Sequence, residues 1–162
     1  DVLILATGFK VFEQGNMPPF AVTGRAGLDL ESFWTQNRFQ AYEGASVPGF
    51  PNFFTVLGPY AYNGASYFNL IETQSRHIVR CLAAARDRDA TSIEISQEAN
   101  DRYFQSMLAR RGGQIFFQGS CSQASSYYFD AHGDVPFRAS SSIEVDWRSR
   151  HFDLDDYRFA TA

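Results

Sequence analysis

The sequence predicts an α/β fold, on three observations. Two continuous apolar runs, residues 2–6 and 53–57, are closed by Thr7-Gly8 and Gly58-Pro59. Such runs suit strands covered on both faces. From residue 66 to residue 86, Tyr67, Ile71, Ile78, Leu82 and Ala85 recur at helical spacing with no Gly or Pro among them, which predicts a long helix. At 162 residues, 44% of them hydrophobic and 20% charged, the chain is one domain in size and able to bury a core.

The elements follow in order. The chain opens directly on Asp1-Val2-Leu3-Ile4-Leu5-Ala6 with no Met and no lead-in, and a start inside a buried strand predicts a piece of something longer. Turn signals fill residues 10–48, with a short helical turn expected over 30–35. Pro48-Gly49-Phe50-Pro51-Asn52 is a turn that feeds the second strand. In the long helix Ser66 is placed as N-cap, Glu72 and Arg76 as an i,i+4 pair, and Arg86 and Arg88 near the negative dipole end. Residues 92–96 alternate like a strand. A second helix is expected over 97–111, with Ala99, Tyr103, Phe104, Met107 and Leu108 on its apolar face and Gly112-Gly113 as its stop. Ile115-Phe116-Phe117 reads as a third strand. Residues 118–162 form an irregular, Ser- and aromatic-rich tail, whose segment 152–157 is expected to dock on the surface by its rings.

Several chemistries are disfavoured. Fourteen Lys and Arg against eighteen Asp and Glu give a net charge of −4, against a nucleic-acid-binding domain. No apolar run is long enough to span a membrane. Cys81 and Cys121 form no C-x-x-C motif; as free thiols they fit a reducing, cytoplasmic compartment, although pairing between them stays open. His77, His132 and His151 are dispersed, without metal-ligand spacing. The Gly-x-Ser-x-Gly elbow is absent, and so is the Gly-Lys-[Ser/Thr] ending of a P-loop.

What remains is the order strand, small-residue loop, helix. Gly58-Pro59-Tyr60-Ala61-Tyr62-Asn63-Gly64-Ala65 leads into the helix at Ser66. The unpaired amides and positive dipole end of such a helix start can seat an anion or an electron-rich carbonyl. Gly64 and Ala65 let a flat ligand approach the backbone. An ordinary strand-to-helix turn has the same spacing.

Asp1-Val2-Leu3-Ile4-Leu5-Ala6-Thr7-Gly8-Phe9 resembles the D-x-x-x-x-A-T-G-[F/Y] strand of flavin-dependent monooxygenases of the Baeyer–Villiger and flavin-containing type. Pro48-Gly49-Phe50-Pro51-Asn52-Phe53-Phe54, followed by Leu57-Gly58-Pro59, is similar to their G-F-P-N-[L/F]-F-x-x-x-G-P segment. Cys121 with Ser126-Tyr127-Tyr128-Phe129 resembles their C…S-[W/Y]-Y stretch, and residues 150–157 resemble the R-x-F-D-L-x-D-Y ending of a bacterial subgroup.

The resemblance implies the C-terminal part of a flavoprotein with two dinucleotide-binding domains. Residues 1–91 would complete the FAD domain, and residues 92–162 would be a helix and extended tail packed on it. It implies FAD and NADPH as cofactors, and an oxygen atom from O2 inserted into a ketone or a soft heteroatom through a C4a-peroxyflavin. By position it places Gly58, Asn63, Gly64, Ala65, Ser66 and Phe68 at the flavin, Thr7 and Gly8 near the hinge between domains, and Tyr60 and Tyr62 on the substrate side. The chain has no G-x-G-x-x-G for either dinucleotide and none of the family's F-x-G-x-x-x-H-x-x-x-[W/P] sequence. No catalytic residue is therefore assigned to it, and the chain alone is expected to be inactive and not to retain FAD. Two other classes stay open. One is a noncatalytic module that self-associates or binds a partner chain through exposed apolar strands; the other is a small ligand-binding domain without flavin.

Overall fold

The structure, a computed structural model, describes residues 2–5, 18–123 and 126–161. Among them the fold is mixed helix and strand: α1 (Leu30–Asn37), α2 (Tyr67–Asp87), β1 (Ser92–Ile95), α3 (Gln97–Arg110), α4 (Ser142–His151) and β2 (Tyr157–Ala160). β1 and β2 pair antiparallel, with Ser92 opposite Ala160 and Ile95 opposite Tyr157. No parallel sheet forms among the described residues.

The helices begin where side chains can take up free amides. Asp29 accepts from the Ser32 amide at 2.8 Å, Ser96 from Ala99 at 3.2 Å and Ser141 from Glu144 at 3.2 Å. Ser66 does stand at the N-cap position of α2, but its hydroxyl makes no capping bond.

Two apolar clusters result. Leu30, Phe33 and Trp34 of α1 pack with Ala41, Val47 and Phe50. The larger cluster joins Tyr42 and Tyr60 to Cys81 of α2, Ile93 and Ile95 of β1, Tyr103, Phe104 and Met107 of α3, and Phe152 and Tyr157 of the tail. The rings of segment 152–157 thus dock as expected, with Phe152 and Tyr157 both buried.

Four expectations are corrected. Residues 2–5 form no strand and stand open to solvent, Val2 at 90% and Leu5 at 77% exposure; Ala6, Thr7 and Gly8 lie outside the described residues. A run built for cover on both faces finds no neighbouring strand here. Residues 53–57 also form no strand. They are pinned individually: the Thr55 amide donates to the Ala45 carbonyl at 2.8 Å, and the Leu57 amide to Gln74 Oε1. Ile115–Phe117 is a 3₁₀ turn rather than a strand, because Phe116 and Phe117 fold onto Tyr128 and Phe129 instead of a ladder. The tail is more regular than expected, since it contributes α4 and β2.

Helix α2 is where predicted, yet it buries a different face. Leu70, Thr73, Gln74, His77, Cys81 and Ala85 point inward, while Phe68, Val79 and Leu82 are 79%, 63% and 53% exposed. Arg76 reaches across to Asp146 of α4 at 2.7 Å rather than back to Glu72. Cys81 and Cys121 are both free, the first buried and the second exposed. Among the described residues no helix is long and apolar enough to cross a membrane.

Candidate functional site

The loop from Gly58 to Ser66 is fixed at its base and open at its end. Gly58 has no room for a side chain: a Cβ there would meet Thr55 Oγ1 at 2.3 Å and the Gly44 carbonyl at 2.7 Å. Its importance is therefore close packing. Tyr60 lies in the core, its ring edge-on to Phe104 at 5.5 Å and its carbonyl accepting from the Tyr103 hydroxyl at 2.9 Å. Burial, and then the nearby Asp134 and Asp130 carboxylates, push its phenol pKa up.

From Tyr60 onward the tail zips onto this loop. The Tyr60 amide donates to the Pro136 carbonyl at 2.8 Å, and the Arg138 amide to the Tyr62 carbonyl at 2.7 Å. Asn63 continues the zipper, its Nδ2 donating to the Ser140 carbonyl at 3.1 Å while its Oδ1 accepts from the Ala65 amide at 3.1 Å. Asn63 thus points its own polar atoms into the protein and holds the loop in shape.

Beyond Asn63 the geometry opens. Gly64 has φ +84° and nothing within 4 Å of a built Cβ, so glycine serves backbone conformation here, with open space on its outer side. Ser66 and Phe68 are exposed. The first amides of α2, those of Tyr67, Phe68 and Asn69, find no acceptor among the described residues. They stand at the positive end of a 21-residue helix. A flat, electron-rich group fits here, because the backbone is approachable and its donors are unmet.

Behind the loop two buried carboxylates tie front to tail. Glu43 accepts from Arg138 and from Arg148; it is 4% exposed and adopts φ +52°. Asp134, 1% exposed, accepts from Arg38 Nε at 2.8 Å and Arg111 Nη1 at 2.6 Å. His77 is buried and hydrogen-bonded. Its Nε2 meets the Tyr157 hydroxyl at 2.7 Å, and its ring stacks on Phe152 at 3.8 Å. Burial, then the charges of Arg138, Arg80 and Arg148, push its pKa down to about 3; it is neutral at physiological pH. Burial likewise pushes the Cys81 thiol up to about 12, which leaves it an inert core group.

The open end of the loop borders a cavity of about 810 Å³. Its lining includes Tyr62, Asn63 and Gly64 together with Phe116, Tyr128 and Phe137. Of the residues expected on the substrate side, Tyr62 is at this wall and Tyr60 is in the core. Glu43, Arg138, Ser140, Phe116 and Phe137 escaped sequence reasoning, because their partners are distant in the chain. Among the described residues no group of His, Cys, Asp or Glu is arranged to hold a metal ion.

No family model matches the chain. It is 30% identical over 134 residues to an uncharacterised monooxygenase of Mycobacterium tuberculosis, covering 82% of this chain and 26% of that protein. A Baeyer–Villiger monooxygenase of Pseudomonas aeruginosa is 29% identical over 124 residues, covering 75% of this chain and 23% of the relative. Among solved structures, a mutant cyclohexanone monooxygenase from a Rhodococcus, bound to NADP+, superposes with a TM-score of 0.76 at 26% identity. That match covers 97% of this chain and 28% of the other. The chain therefore spans about a quarter of the length of the relatives it matches.

Proposed function

Because this chain belongs, over the quarter of their length that it spans, to the Baeyer–Villiger monooxygenases, we propose that it forms one wall of the flavin site of such an enzyme. In this reading it is the C-terminal portion, with residues 1–91 completing the FAD domain and residues 92–162 packed on them as helix and tail. One observation carries it: the open start of α2, where Gly64 leaves free space, Ser66 makes no capping bond, and the amides of Tyr67, Phe68 and Asn69 lack acceptors among the described residues.

FAD, when bound, supplies the redox chemistry, taking reducing equivalents from NADPH and passing them to O2 so that one oxygen atom enters an organic substrate. This chain's residues bind and orient. Gly64 and Ala65 admit the ring edge to the backbone, and Ser66 and the following amides face it. The helix dipole there favours negative charge by about 0.3–1 kcal/mol, and by up to ~2 kcal/mol where partly buried. Asn63 keeps the loop in register, Gly58 lets it pack, and Phe68 stands at its margin. Tyr62 belongs to the substrate side; Thr7 and Gly8 are assigned to the hinge between domains. No catalytic role is assigned to a residue of this chain, and the chain alone is not expected to turn over NADPH.

The test is thermal unfolding of the chain with FAD, NADPH or sulfate at millimolar concentration, for wild type and Gly64→Val. Stabilisation by FAD that sulfate does not reproduce and Gly64→Val abolishes is the expected result. Equal stabilisation by sulfate would mean a simple anion site. A stoichiometric flavin band retained after desalting would contradict an incomplete site.

A second reading has its own observation. Phe68, Ile71, Val79 and Leu82 expose an apolar stripe on α2, and residues 2–5 add another apolar segment. On the isolated chain such a surface favours self-association.

A further inference from the structure

We propose that Gln74 is a positioning residue of the flavin site. From inside α2 it clamps the two strained turns on which the loop from Gly58 to Ser66 rests, and so sets where that loop stands relative to the helix start. This rests on reading the open start of α2 as the flavin-facing edge and names the side chain that aligns it.

Gln74 lies about two turns into α2, is buried, and uses both ends of its amide. Its Oε1 accepts from the Leu57 amide. Its Nε2 donates to the Gly44 carbonyl at 2.9 Å and, at longer range, to the Glu43 carbonyl at 3.4 Å. The Gly44 carbonyl also accepts from the Gly58 amide at 3.1 Å and from Thr55 Oγ1 at 3.0 Å. Donors from α2 and from either side of Leu57 therefore converge on one carbonyl oxygen.

The segments so held are in costly conformations. Leu57 has φ +60° and Glu43 φ +52°, a left-handed backbone that residues with a Cβ avoid. Such residues persist where their surroundings over-determine them. Gln74 holds Leu57 at its amide and Glu43 at its carbonyl, while Arg138 and Arg148 hold the Glu43 carboxylate. Gly44 also presses on the loop itself, since a Cβ there would meet the Ala61 Cβ at 2.4 Å. The turn at 43–44 and the base of the loop thus form one body, and Gln74 ties that body to α2.

The other end of the loop runs into α2 through Ser66. Both ends are therefore fixed to one helix, which sets the height of Gly64 and Ala65 above its first amides. A side chain that only filled the core would be apolar at this inward position. A buried amide committed at both ends costs more to place and supplies direction.

Flavin fluorescence titration of the chain with FAD, well below the unfolding temperature, tests this, with ¹H–¹⁵N spectra of the same proteins before FAD is added. Gln74→Met keeps the length of the side chain and loses the amide. Leu30→Val trims the separate α1 cluster and controls for lost stability. Gln74→Met is expected to weaken FAD binding about tenfold and to shift the Gly58 and Gly64 amide resonances. Leu30→Val is expected to keep the wild-type affinity and both resonances. Gln74→Glu, which keeps an acceptor for Leu57 and loses the donors to Gly44, repeats both effects if Gln74→Met does not fold. Wild-type FAD affinity in the Gln74 variant, or an equal loss in Leu30→Val, overturns the proposal and leaves the flavin reading standing. Absence of any FAD response in the wild-type chain removes the flavin reading and with it the role of Gln74 at a flavin; the spectra then report the clamp alone, which an unmoved Gly64 resonance would also overturn.

Discussion

Arg138 and Glu43 stand 95 residues apart in the chain and meet as an ion pair at which neither residue is more than 4% exposed. Glu43 precedes the loop that leads to α2, and Arg138 lies in the tail segment zipped against that loop. Their contact, extended by Arg148, ties the aromatic tail to the segment that leads into α2.

Removing that carboxylate leaves Arg138 buried without compensation. Glu43→Gln is predicted to cost about 3–5 kcal/mol in urea unfolding. A loss below ~1 kcal/mol would mean that the pair is replaced by solvent and does not fasten the tail.

His77 makes the fold acid-sensitive in a defined window. Its pKa falls from the ordinary 6.5 to about 3 in the folded chain. Above pH 6.5 both states are neutral at this group and stability is unaffected. As pH falls below that value the unfolded chain takes up the proton first, so stability drops by about 1.4 kcal/mol per pH unit until the folded group titrates. Chemical unfolding between pH 6.5 and about pH 5, above most carboxylate titration, should show this slope in wild type and a shallower one in His77→Phe. Identical slopes would contradict a neutral buried histidine.

The two loop glycines should separate packing from ligand approach. Gly58→Ala forces a methyl against Thr55 and the Gly44 carbonyl and is predicted to destabilise by about 1–3 kcal/mol. Gly64→Ala meets open space and loses only the freedom of a left-handed backbone, about 1–2 kcal/mol. Thermal unfolding ranks the two; FAD stabilisation should be more sensitive at Gly64 than its small stability loss explains.

The exposed face of α2 should govern the solution state of the isolated chain. Light scattering is predicted to show self-association at micromolar to millimolar concentration, and Val79→Ser with Leu82→Ser to reduce it without lowering the unfolding temperature. Unchanged association in the double variant would place the contact elsewhere, with residues 2–5, Phe20, Ile115 and Ile143 as exposed apolar candidates.

What the sequence made legible follows interaction range. α2, β1 and α3 are set by local periodicity, with a Ser96 cap at the start of α3, and they stand within a residue or two of the expected bounds. The runs at 2–6 and 53–57 carry the pattern of buried strands, but a strand needs a neighbour, and the chain offers none among the described residues. The inward face of α2 departs from its apolar periodicity for the same reason. Its apolar residues Phe68, Val79 and Leu82 point away from this chain's core, while Gln74 and His77 point into it because Gly44 and Tyr157 offer them hydrogen bonds. α4 had a visible signal in Ser141 and Glu144, three residues apart as in a capping box. The pairing of Glu43 with Arg138 had none, since charge partners across the fold leave no trace in local spacing.

The most direct measurement is amide hydrogen–deuterium exchange of the chain with and without excess FAD. The amides of Tyr67, Phe68 and Asn69 are predicted to gain protection when FAD is added, together with Gly64 and Ala65 and ahead of any change in β1 or β2. Unaltered exchange at these five positions, with protection arising elsewhere or nowhere, would contradict a flavin facing the start of α2.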